Sequence, residues 1–264
     1  MSIISGEIAE RIRSIADTAG ESIMKVYESA DFGIETKSDD SPLTRADCAS
    51  HDVIVEGLAS LPEEYRFPLL SEEGRGIPYE ERVFWKNYYL IDPLDGTKEF
   101  IRQNGEFTVN IALVRDGVPV FGVVYAPAKD LCYYGGEGFG AWKRSMGTTV
   151  PVSAEAVHPE RLTVVASRSH LSPETEQYIE SLRNRFDRIE TVSSGSSLKF
   201  CMVADGSADV YPRLAPTMEW DTAAADAVCR TAGCSVVEYE NGEVLRYNKE
   251  NLLNPWFIVK GKRL

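Results

Sequence analysis

A short apolar run that ends in two closely spaced carboxylates is the feature that most constrains this chain. Residues 88–91 (YYLI) predict a buried strand, and DPLDGT follows at residues 92–97. Pro93 fixes a backbone angle and Gly96 admits conformations that a Cβ would block, so the chain is predicted to turn where the strand ends. Such turns often carry function. Two carboxylates beside the Thr97 hydroxyl are typical of a site for metal ions and a phosphate.

The charge balance narrows the classes of partner. The 264 residues include 28 basic and 41 acidic side chains, which gives a net charge of −13. Nucleic acids and anionic membrane surfaces are bound through basic patches, so this balance argues against both. An anionic substrate would need positive charge at its binding site, and clustered carboxylates provide it when they recruit divalent cations. The length allows one large domain or two subdomains, and the residues leave the oligomeric state open.

The cysteines and the hydropathy pattern predict a cytoplasmic protein. The five cysteines are odd in number and have no zinc-ligand spacing, which is typical of free thiols in a reducing compartment. Charges interrupt the apolar positions of residues 1–27, so this segment matches neither a signal peptide nor a membrane span, and no later segment does either. No integral membrane segment is therefore expected.

Two helices and a hairpin are predicted in the first half. Isoleucine and alanine recur every three or four residues near the N-terminus, which predicts an amphipathic helix over roughly the first thirty residues. Thr44 is a good N-cap for a second helix that runs to Pro62 and places Asp47 in its first turn. Residues 107–126 predict an antiparallel hairpin with a tight Asp-Gly turn.

Strands and helices alternate after Pro151, which predicts mostly parallel α/β layering. The strand segments are 162–167, 189–194 and 208–213, and the helix segments are 173–185, 196–206 and 221–232. The composition changes near residues 152–160. We therefore expect an N-terminal α+β subdomain over 1–152 and a C-terminal α/β subdomain over 153–264.

Four acidic residues stand out because each lies at the end of a predicted element: Glu72, Asp92, Asp95 and Asp221. A lone acid in such a position is usually a solvated turn or a helix cap. The spacing of Asp92 and Asp95, their strand context and the neighbouring Thr97 favour metal binding instead. Hard oxygen ligands suit Mg²⁺, which commonly bridges carboxylates and a substrate phosphate.

Six segments in order along the chain resemble one family: DPLDGTKEF, NGEFTVNIALV, GVVYAP, GSSLKFC, YPR and WDTAA. They are similar to segments of the inositol monophosphatase superfamily of Mg²⁺-dependent, lithium-sensitive phosphatases. Residues 98–100 (KEF) favour its 3'(2'),5'-bisphosphate nucleotidase branch. The resemblance covers nearly the whole chain and implies a layered α/β/α/β/α sandwich of the inositol monophosphatase/sugar phosphatase type. The N-terminal subdomain would carry most metal ligands, and the C-terminal subdomain the WD motif and the nucleotide contacts.

The resemblance also implies a metal site and a catalytic pair. Two or three Mg²⁺ ions would be held by Glu72, Asp92, the backbone carbonyl of Leu94, Asp95 and Asp221. Asp92 would bridge two ions. Asp47 and Thr97 would orient and deprotonate the attacking water. From its sequence position alone, Asp47 is also explained as an acid that stabilises the first turn of a helix.

The candidates for substrate binding are Gly96, Thr97, Ser196, Lys199, Arg168, Arg213 and Asp221. The backbone N–H groups of Gly96 and Thr97 would hold the phosphate if Thr97 opens a helix. Ser196 and Lys199 suit a second phosphate or a ribose, although a Ser-Gly-Ser cluster is more simply a turn and a helix cap. The two arginines are candidates for a 5'-phosphate, or for ordinary surface ion pairs.

The activity implied by the resemblance is hydrolysis of the 3'-phosphate of 3'-phosphoadenosine 5'-phosphate, a nucleotide bisphosphate, to AMP and phosphate. The sulfated nucleotide 3'-phosphoadenylyl sulfate is a second candidate substrate. The alternatives are an inositol or sugar monophosphatase with the same metal chemistry, and a nucleotide sensor without turnover. A sensor does not need the pair formed by Asp47 and Thr97, which disfavours that alternative. Peripheral association with the inner membrane stays open.

Overall fold

The structure is a computed structural model that describes residues 4–29, 31–36, 42–156, 160–166 and 172–264. Its α-helices are α1 (Gly6–Ser29), α2 (Arg45–Ala59), α3 (Tyr79–Arg82), α4 (Thr97–Ile101), α5 (Pro173–Leu182), α6 (Leu198–Ala204) and α7 (Ala223–Ala232). Its strands are β1 (Glu35–Thr36), β2 (Pro42–Leu43), β3 (Leu69–Ser71), β4 (Asn87–Asp95), β5 (Thr108–Arg115), β6 (Val118–Ala126), β7 (Leu131–Gly136), β8 (Gly140–Ser145), β9 (Thr148–Pro151), β10 (Leu162–Ala166), β11 (Ile189–Ser193), β12 (Val210–Arg213), β13 (Ser235–Glu238) and β14 (Phe257–Lys260). Within these ranges no helix combines the length and the apolar character needed to cross a membrane.

Two main sheets form the fold, beside a small antiparallel pair of β1 and β2. The seven-stranded sheet has the order β3-β4-β5-β6-β7-β8-β9, and only β3 and β4 pair in parallel within it. The five-stranded sheet has the order β11-β10-β12-β14-β13. Its strand β10 is parallel to β11 and β12, whereas β14 is antiparallel to β12 and β13.

The expectation of a mostly parallel second half is therefore correct for three strands and wrong for β13 and β14. Neither strand was predicted from the sequence. Each is only four residues long, and a segment without regular structure lies between them. A strand this short shows too little alternation to be recognised from its own residues.

Apolar side chains arrange the elements in five layers. Helices α1 and α2 cover one face of the seven-stranded sheet. Helices α6 and α7 lie between the two sheets, and α5 covers the outer face of the five-stranded sheet. This order is the predicted α/β/α/β/α sandwich.

Strand β4 is buried on both faces, as its continuous apolar sequence predicts. Tyr88 and Leu90 pack in the layer between the sheets, whereas Tyr89 and Ile91 pack beneath α1 and α2. Successive side chains of a strand point to opposite faces, so a strand with a layer on each side is apolar throughout. Asp92, near the end of β4, is consequently shielded from water, whereas Asp95 at the last position of the strand is partly exposed.

The local predictions for the first half are confirmed. Helix α2 begins after Thr44, whose side chain accepts a hydrogen bond from the Ala46 N–H. Strands β5 and β6 form the expected hairpin. Its turn places Asp116 and Gly117 at φ values of 50° and 72°, as a tight hairpin turn requires.

The division of the chain near residue 152 stays a prediction. The strands of the larger sheet lie within residues 69–151, and those of the smaller sheet within residues 162–260. Helix α7 belongs to the second half of the sequence but packs against β5, β6 and β7 of the first. A helix of the second half therefore covers a sheet of the first half.

Candidate active site

The parallel pairing of β3 and β4 brings the first two carboxylates together. Ser71 pairs with Ile91, so the residues that follow them, Glu72 and Asp92, leave the sheet side by side. The Glu72 N–H donates to the Ile91 carbonyl at 3.2 Å and continues the ladder by one step. Because parallel strands end at the same edge of a sheet, residues 20 positions apart in the sequence meet here.

An irregularity in β4 lets Asp92 and Asp95 serve the same site. In a regular strand, residues three apart point to opposite faces. The register of β4 against β5 shifts between Asp92 and Asp95, which re-aims the side chains as a bulge does. Within the shifted segment, the Leu94 N–H donates to Asp92 Oδ1 at 3.0 Å.

Gly96 permits the turn that follows. Its φ of 92° lies in the left-handed region, and a Cβ there would overlap with the Ser196 hydroxyl. Helix α4 then begins at Thr97, as predicted.

Asp221 reaches the site from the second half of the chain, in the turn before α7. Helix α7 lies close to the larger sheet, and this brings Asp221 to the site. Gly122 of β6 permits the close approach, because a Cβ there would overlap with the Ala224 carbonyl. In the turn itself, the Met218 N–H donates to Asp221 Oδ2 at 2.9 Å. That bond fixes one oxygen of the carboxylate.

Three of the four predicted acidic ligands converge. Carboxylate oxygens of Glu72, Asp92 and Asp221 all lie within 4.8 Å of one another, and Asp95 lies beside them. Burial raises the pKa of Asp92 well above its usual range, and the charges of the other three acids raise it further. Burial and the charge of Asp95 raise the pKa of Asp221 to about 8. A cation would relieve this repulsion, and the all-oxygen donor set fits a hard divalent ion.

Asp47 and Thr97 meet as predicted. The Thr97 hydroxyl donates to Asp47 Oδ1 at 3.3 Å and lies 3.5 Å from the Leu94 carbonyl. The other oxygen, Asp47 Oδ2, accepts hydrogen bonds from the Thr44 N–H at 2.7 Å and the Thr44 hydroxyl at 2.6 Å. The two interpretations of Asp47 are thus compatible, because one oxygen stabilises the first turn of α2 and the other contacts Thr97.

An open cleft of about 400 Å³ begins at Asp95 and contains five of the predicted substrate residues: Gly96, Ser196, Lys199, Arg213 and Asp221. Lys199 is 6% exposed and donates to the Ser196 carbonyl at 2.7 Å. Arg213 donates to the Pro216 carbonyl at 2.6 Å. Both cations act on the pKa of Asp95, which burial raises and they lower. Arg168 lies outside the described residues.

The Ser196 hydroxyl is engaged within the protein. It lies 2.9 Å from the Asp95 carbonyl and 2.7 Å from the Glu106 carbonyl. Ser197, which the sequence analysis did not select, lies 3.0 Å from Asp95 Oδ2 and 2.7 Å from the Asp221 carbonyl. These two serines therefore join the start of α6 to both carboxylate turns.

Sequence reasoning also missed two cations in the cleft, Lys98 and Arg102. Both are exposed, and neither side chain has a hydrogen bond or ion pair with any residue that the structure describes. Lys98 lies in α4 and Arg102 directly follows the last residue of α4 with helical backbone angles, so these residues, four positions apart, share one face. That spacing, directly after DPLDGT, is a signal that could have identified them.

A layered α/β/α/β/α fold, with acidic ligands from both halves of the chain converging beside a cleft, defines the class to which the protein belongs. The chain is a member of the inositol monophosphatase family, whose model matches residues 6–260. Within this family it is similar to proteins named 3'(2'),5'-bisphosphate nucleotidase CysQ.

The similarity to these relatives extends over nearly the full length. The chain is 47% identical to CysQ of Salmonella typhimurium over 252 residues, which cover 95% of this chain and 98% of that one. CysQ of Escherichia coli strain K12 is 45% identical with the same coverage. The crystal structure of CysQ from Bacteroides thetaiotaomicron superposes with a TM-score of 0.86 at 48% identity and covers 97% of both chains. The resemblance inferred from the six sequence segments is confirmed.

Proposed function

We propose that this protein is a Mg²⁺-dependent phosphatase that removes the 3'-phosphate of 3'-phosphoadenosine 5'-phosphate and yields AMP and phosphate. The observation that carries the proposal is the convergence of buried carboxylates with the pair of Asp47 and Thr97 at one end of a cleft lined by cations. The names of the CysQ relatives agree with it.

Two or three Mg²⁺ ions would be held by the carboxylates and one carbonyl named above: Glu72, Asp92, Leu94, Asp95 and Asp221. When bound, Mg²⁺ lowers the pKa of water and neutralises the charge that grows on the reacting phosphate. The donors fit because all are hard oxygens and because a divalent cation would relieve their mutual repulsion.

The residues of the chain itself would orient the attacking water. Asp47 Oδ1 accepts a hydrogen bond from the Thr97 hydroxyl. The lone pairs of the Thr97 oxygen are then free to accept a hydrogen bond from the water. The capping contacts of Asp47 Oδ2 with Thr44 hold the carboxylate still while it does so. Fixed geometry of this kind contributes to catalysis because the water need not be ordered in the transition state.

The cations of the cleft favour a substrate with two anionic groups. Lys199 and Arg213 lie near Asp95, where the reacting phosphate would be bound. Lys98 and Arg102 line the same cleft from α4 and have no partner among the described residues. An inositol monophosphate carries no second anion for them, whereas a 5'-phosphate or 5'-phosphosulfate does. We therefore propose 3'-phosphoadenylyl sulfate as a second substrate.

The cysteines support a reducing, cytoplasmic location within this proposal. All five are free thiols, and Cys48 is exposed. An exposed free thiol is typical of a compartment in which thiols stay reduced.

Competition between substrates tests the proposed function. Phosphate release is measured from 3'-phosphoadenosine 5'-phosphate and from inositol 1-phosphate, separately and mixed, with Mg²⁺ in excess. A kcat/KM for the nucleotide at least about a hundredfold higher, equivalent to about 2.7 kcal/mol of transition-state binding, is expected. Preference for inositol 1-phosphate would overturn the substrate, and turnover of neither would favour the sensor.

A further inference from the structure

The segment between β13 and β14 contacts both the turn that carries Asp221 and helix α3. We call residues 245–254 the strap. It has almost no regular structure, yet its backbone and side chains bond to the turn that carries Asp221 and to helix α3. No residue of the strap itself lines the cleft.

The strap holds the Asp221 turn from one side through the backbone. The Asn254 N–H donates to the Thr217 carbonyl at 2.9 Å, and Asn254 Nδ2 donates to the Met218 carbonyl at 2.9 Å. The Glu219 N–H donates to the Leu252 carbonyl at 2.9 Å. Because the Met218 N–H in turn donates to Asp221 Oδ2, the strap fixes the peptide that orients this carboxylate.

Glu219 fastens the same turn through its side chain. It is fully buried, and its carboxylate accepts from the Asn248 N–H at 2.7 Å, the Lys249 N–H at 3.0 Å and Lys249 Nζ at 2.6 Å. All three donors belong to the strap. A buried carboxylate is tolerated only where donors of this kind compensate it, so the turn is held to one position on the strap.

Asn248 connects the strap to helix α3. Arg82 Nη1 donates to Asn248 Oδ1 at 2.9 Å, and Asn248 Nδ2 donates to the Arg82 carbonyl at 2.7 Å. Arg82 Nη2 also donates to the Glu250 carbonyl at 2.7 Å. Arg82 is 2% exposed and ends α3, the helix that follows the loop beginning at Glu72.

We propose that Arg82, Asn248 and Glu219 are positioning residues, which through the strap set the separation between the Glu72 loop and the Asp221 turn. The inference rests on the proposed metal site but not on the identity of the substrate. Mg²⁺ requires nearly ideal octahedral geometry, whereas Ca²⁺ accepts a wider and more flexible set of ligands. Loosening the strap therefore weakens Mg²⁺ binding more than Ca²⁺ binding. A loss of stability alone would not change the ratio of the two affinities.

The variant Asn248→Gly removes both side-chain hydrogen bonds to Arg82. Glycine readily adopts the backbone conformation of this position, because Asn248 has a φ of 66°. Calorimetric titration of the substrate-free protein with Mg²⁺ and with Ca²⁺ is the measurement. The Kd for Mg²⁺ is expected to rise about tenfold or more, as for other residues that support metal ligands, and the Kd for Ca²⁺ less than about threefold. Asp116→Gly is the matched control, since it makes the same kind of change in an exposed hairpin turn with a φ of 50°.

Glu219→Gln is the second variant, chosen in case Asn248→Gly does not fold. It keeps the shape and one acceptor but removes the charge, while Lys249 Nζ keeps the Arg246 carbonyl and Asn254 Oδ1 as partners. The same selective loss of Mg²⁺ affinity is expected. Unchanged affinities for both ions in a folded variant would overturn the positioning role alone. A wild-type protein that binds no Mg²⁺ would instead refute the metal site on which the proposal rests.

Discussion

Thr97 donates its hydroxyl to Asp47 across 3.3 Å and thereby joins helix α4 to helix α2, between residues 50 positions apart in the sequence. Asp47 is 1% exposed, and its second oxygen is held by Thr44. The contact gives the proposed water-orienting pair a fixed geometry before any substrate binds. It also separates the catalytic role of Asp47 from its structural one, because each role uses a different oxygen.

Replacing Thr97 by Val removes the hydroxyl and nearly conserves the side-chain volume. We expect kcat for 3'-phosphoadenosine 5'-phosphate to fall about a hundredfold, the usual contribution of a positioned acid-base group, with little change in KM. Thr97→Ser keeps the hydroxyl and serves as the control. Steady-state kinetics of the two variants test this prediction, and an undiminished kcat in Thr97→Val would exclude a role of the Thr97 hydroxyl in orienting the water.

The two roles of Asp47 can be measured apart. Asp47→Asn still offers one oxygen to Thr44 but cannot accept from both Thr44 and Thr97, so kcat should fall while the free energy of unfolding changes by less than about 1 kcal/mol. Thr44→Ala should do the reverse: it removes the N-cap hydroxyl and should cost about 1 kcal/mol of stability, whereas the Thr44 N–H still holds Asp47 Oδ2 and kcat is kept. Denaturant titration alongside kinetics tests both. Equal loss of stability and activity in the two variants would show that Asp47 acts only as a cap.

Lys98 in α4 and Arg102 just after this helix have no partner among the described residues and should recognise the 5'-phosphate. In Arg102→Ala or Lys98→Ala, kcat/KM for 3'-phosphoadenosine 5'-phosphate should fall about tenfold or more, since a charge-assisted hydrogen bond contributes about 1.5–3 kcal/mol. Adenosine 3'-monophosphate lacks the 5'-phosphate, so its kcat/KM should be nearly unchanged. Arg183→Ala is the control, since Arg183 is an exposed arginine that directly follows α5. Equal losses for both nucleotides would remove these residues from 5'-phosphate recognition.

Lys199 is a candidate for contact with the substrate because it lines the cleft. Lys199→Ala should weaken a bisphosphate more than a monophosphate if Lys199 contacts the second phosphate. The Lys199 ammonium already donates to the Ser196 carbonyl, so a loss shared by both substrates would mean that it supports the loop or contacts the reacting phosphate, and not the second one. The same pair of nucleotides distinguishes these outcomes through kcat/KM.

The metal-free protein should lose stability as the pH rises. Asp92 and Asp221 have raised pKa values in the folded state, about 8 for Asp221, whereas an aspartate in the unfolded chain has a value near 3.8. The folded state therefore binds more protons than the unfolded state over this interval, so the free energy of unfolding falls as the pH rises from about 4 through about 8.

Thermal unfolding after chelation, followed at several pH values, measures this effect. Saturating Mg²⁺ should restore the Tm, most strongly at the alkaline end, because the ion binds the ionised carboxylates. Asp221→Asn should flatten the dependence. A metal-free Tm that rises steadily over the same interval would contradict the assignment of raised pKa values to this cluster.

Local patterns were sufficient to predict the elements that carry most of the site. The apolar run before Asp92 predicted β4, Thr44 predicted the start of α2, and the turn residues predicted the bend at Gly96. Each of these signals comes from residues that are neighbours in the sequence. The structure then brings Glu72, Asp92 and Asp221 together by pairing and packing, which periodicity does not encode and only the family resemblance implied.

The strap and its partners could not be predicted for the same reason. Glu219 and Asn248 are 29 residues apart, and Arg82 and Asn248 are 166 apart. Neither strand that flanks the strap was recognised, so nothing in the sequence indicated that it crosses the Asp221 turn. A buried glutamate also looks the same in a sequence as a solvated one.

The most direct test of the central claim is phosphate release from 3'-phosphoadenosine 5'-phosphate by the wild-type protein and by Asp95→Asn, each with Mg²⁺, after chelation and with added Li⁺. The account predicts wild-type release that requires Mg²⁺ and is inhibited by Li⁺, and a loss of more than about a hundredfold in Asp95→Asn, beyond what outer partners of metal ligands usually cost. Release that survives chelation, or an Asp95→Asn variant with undiminished turnover, would contradict it.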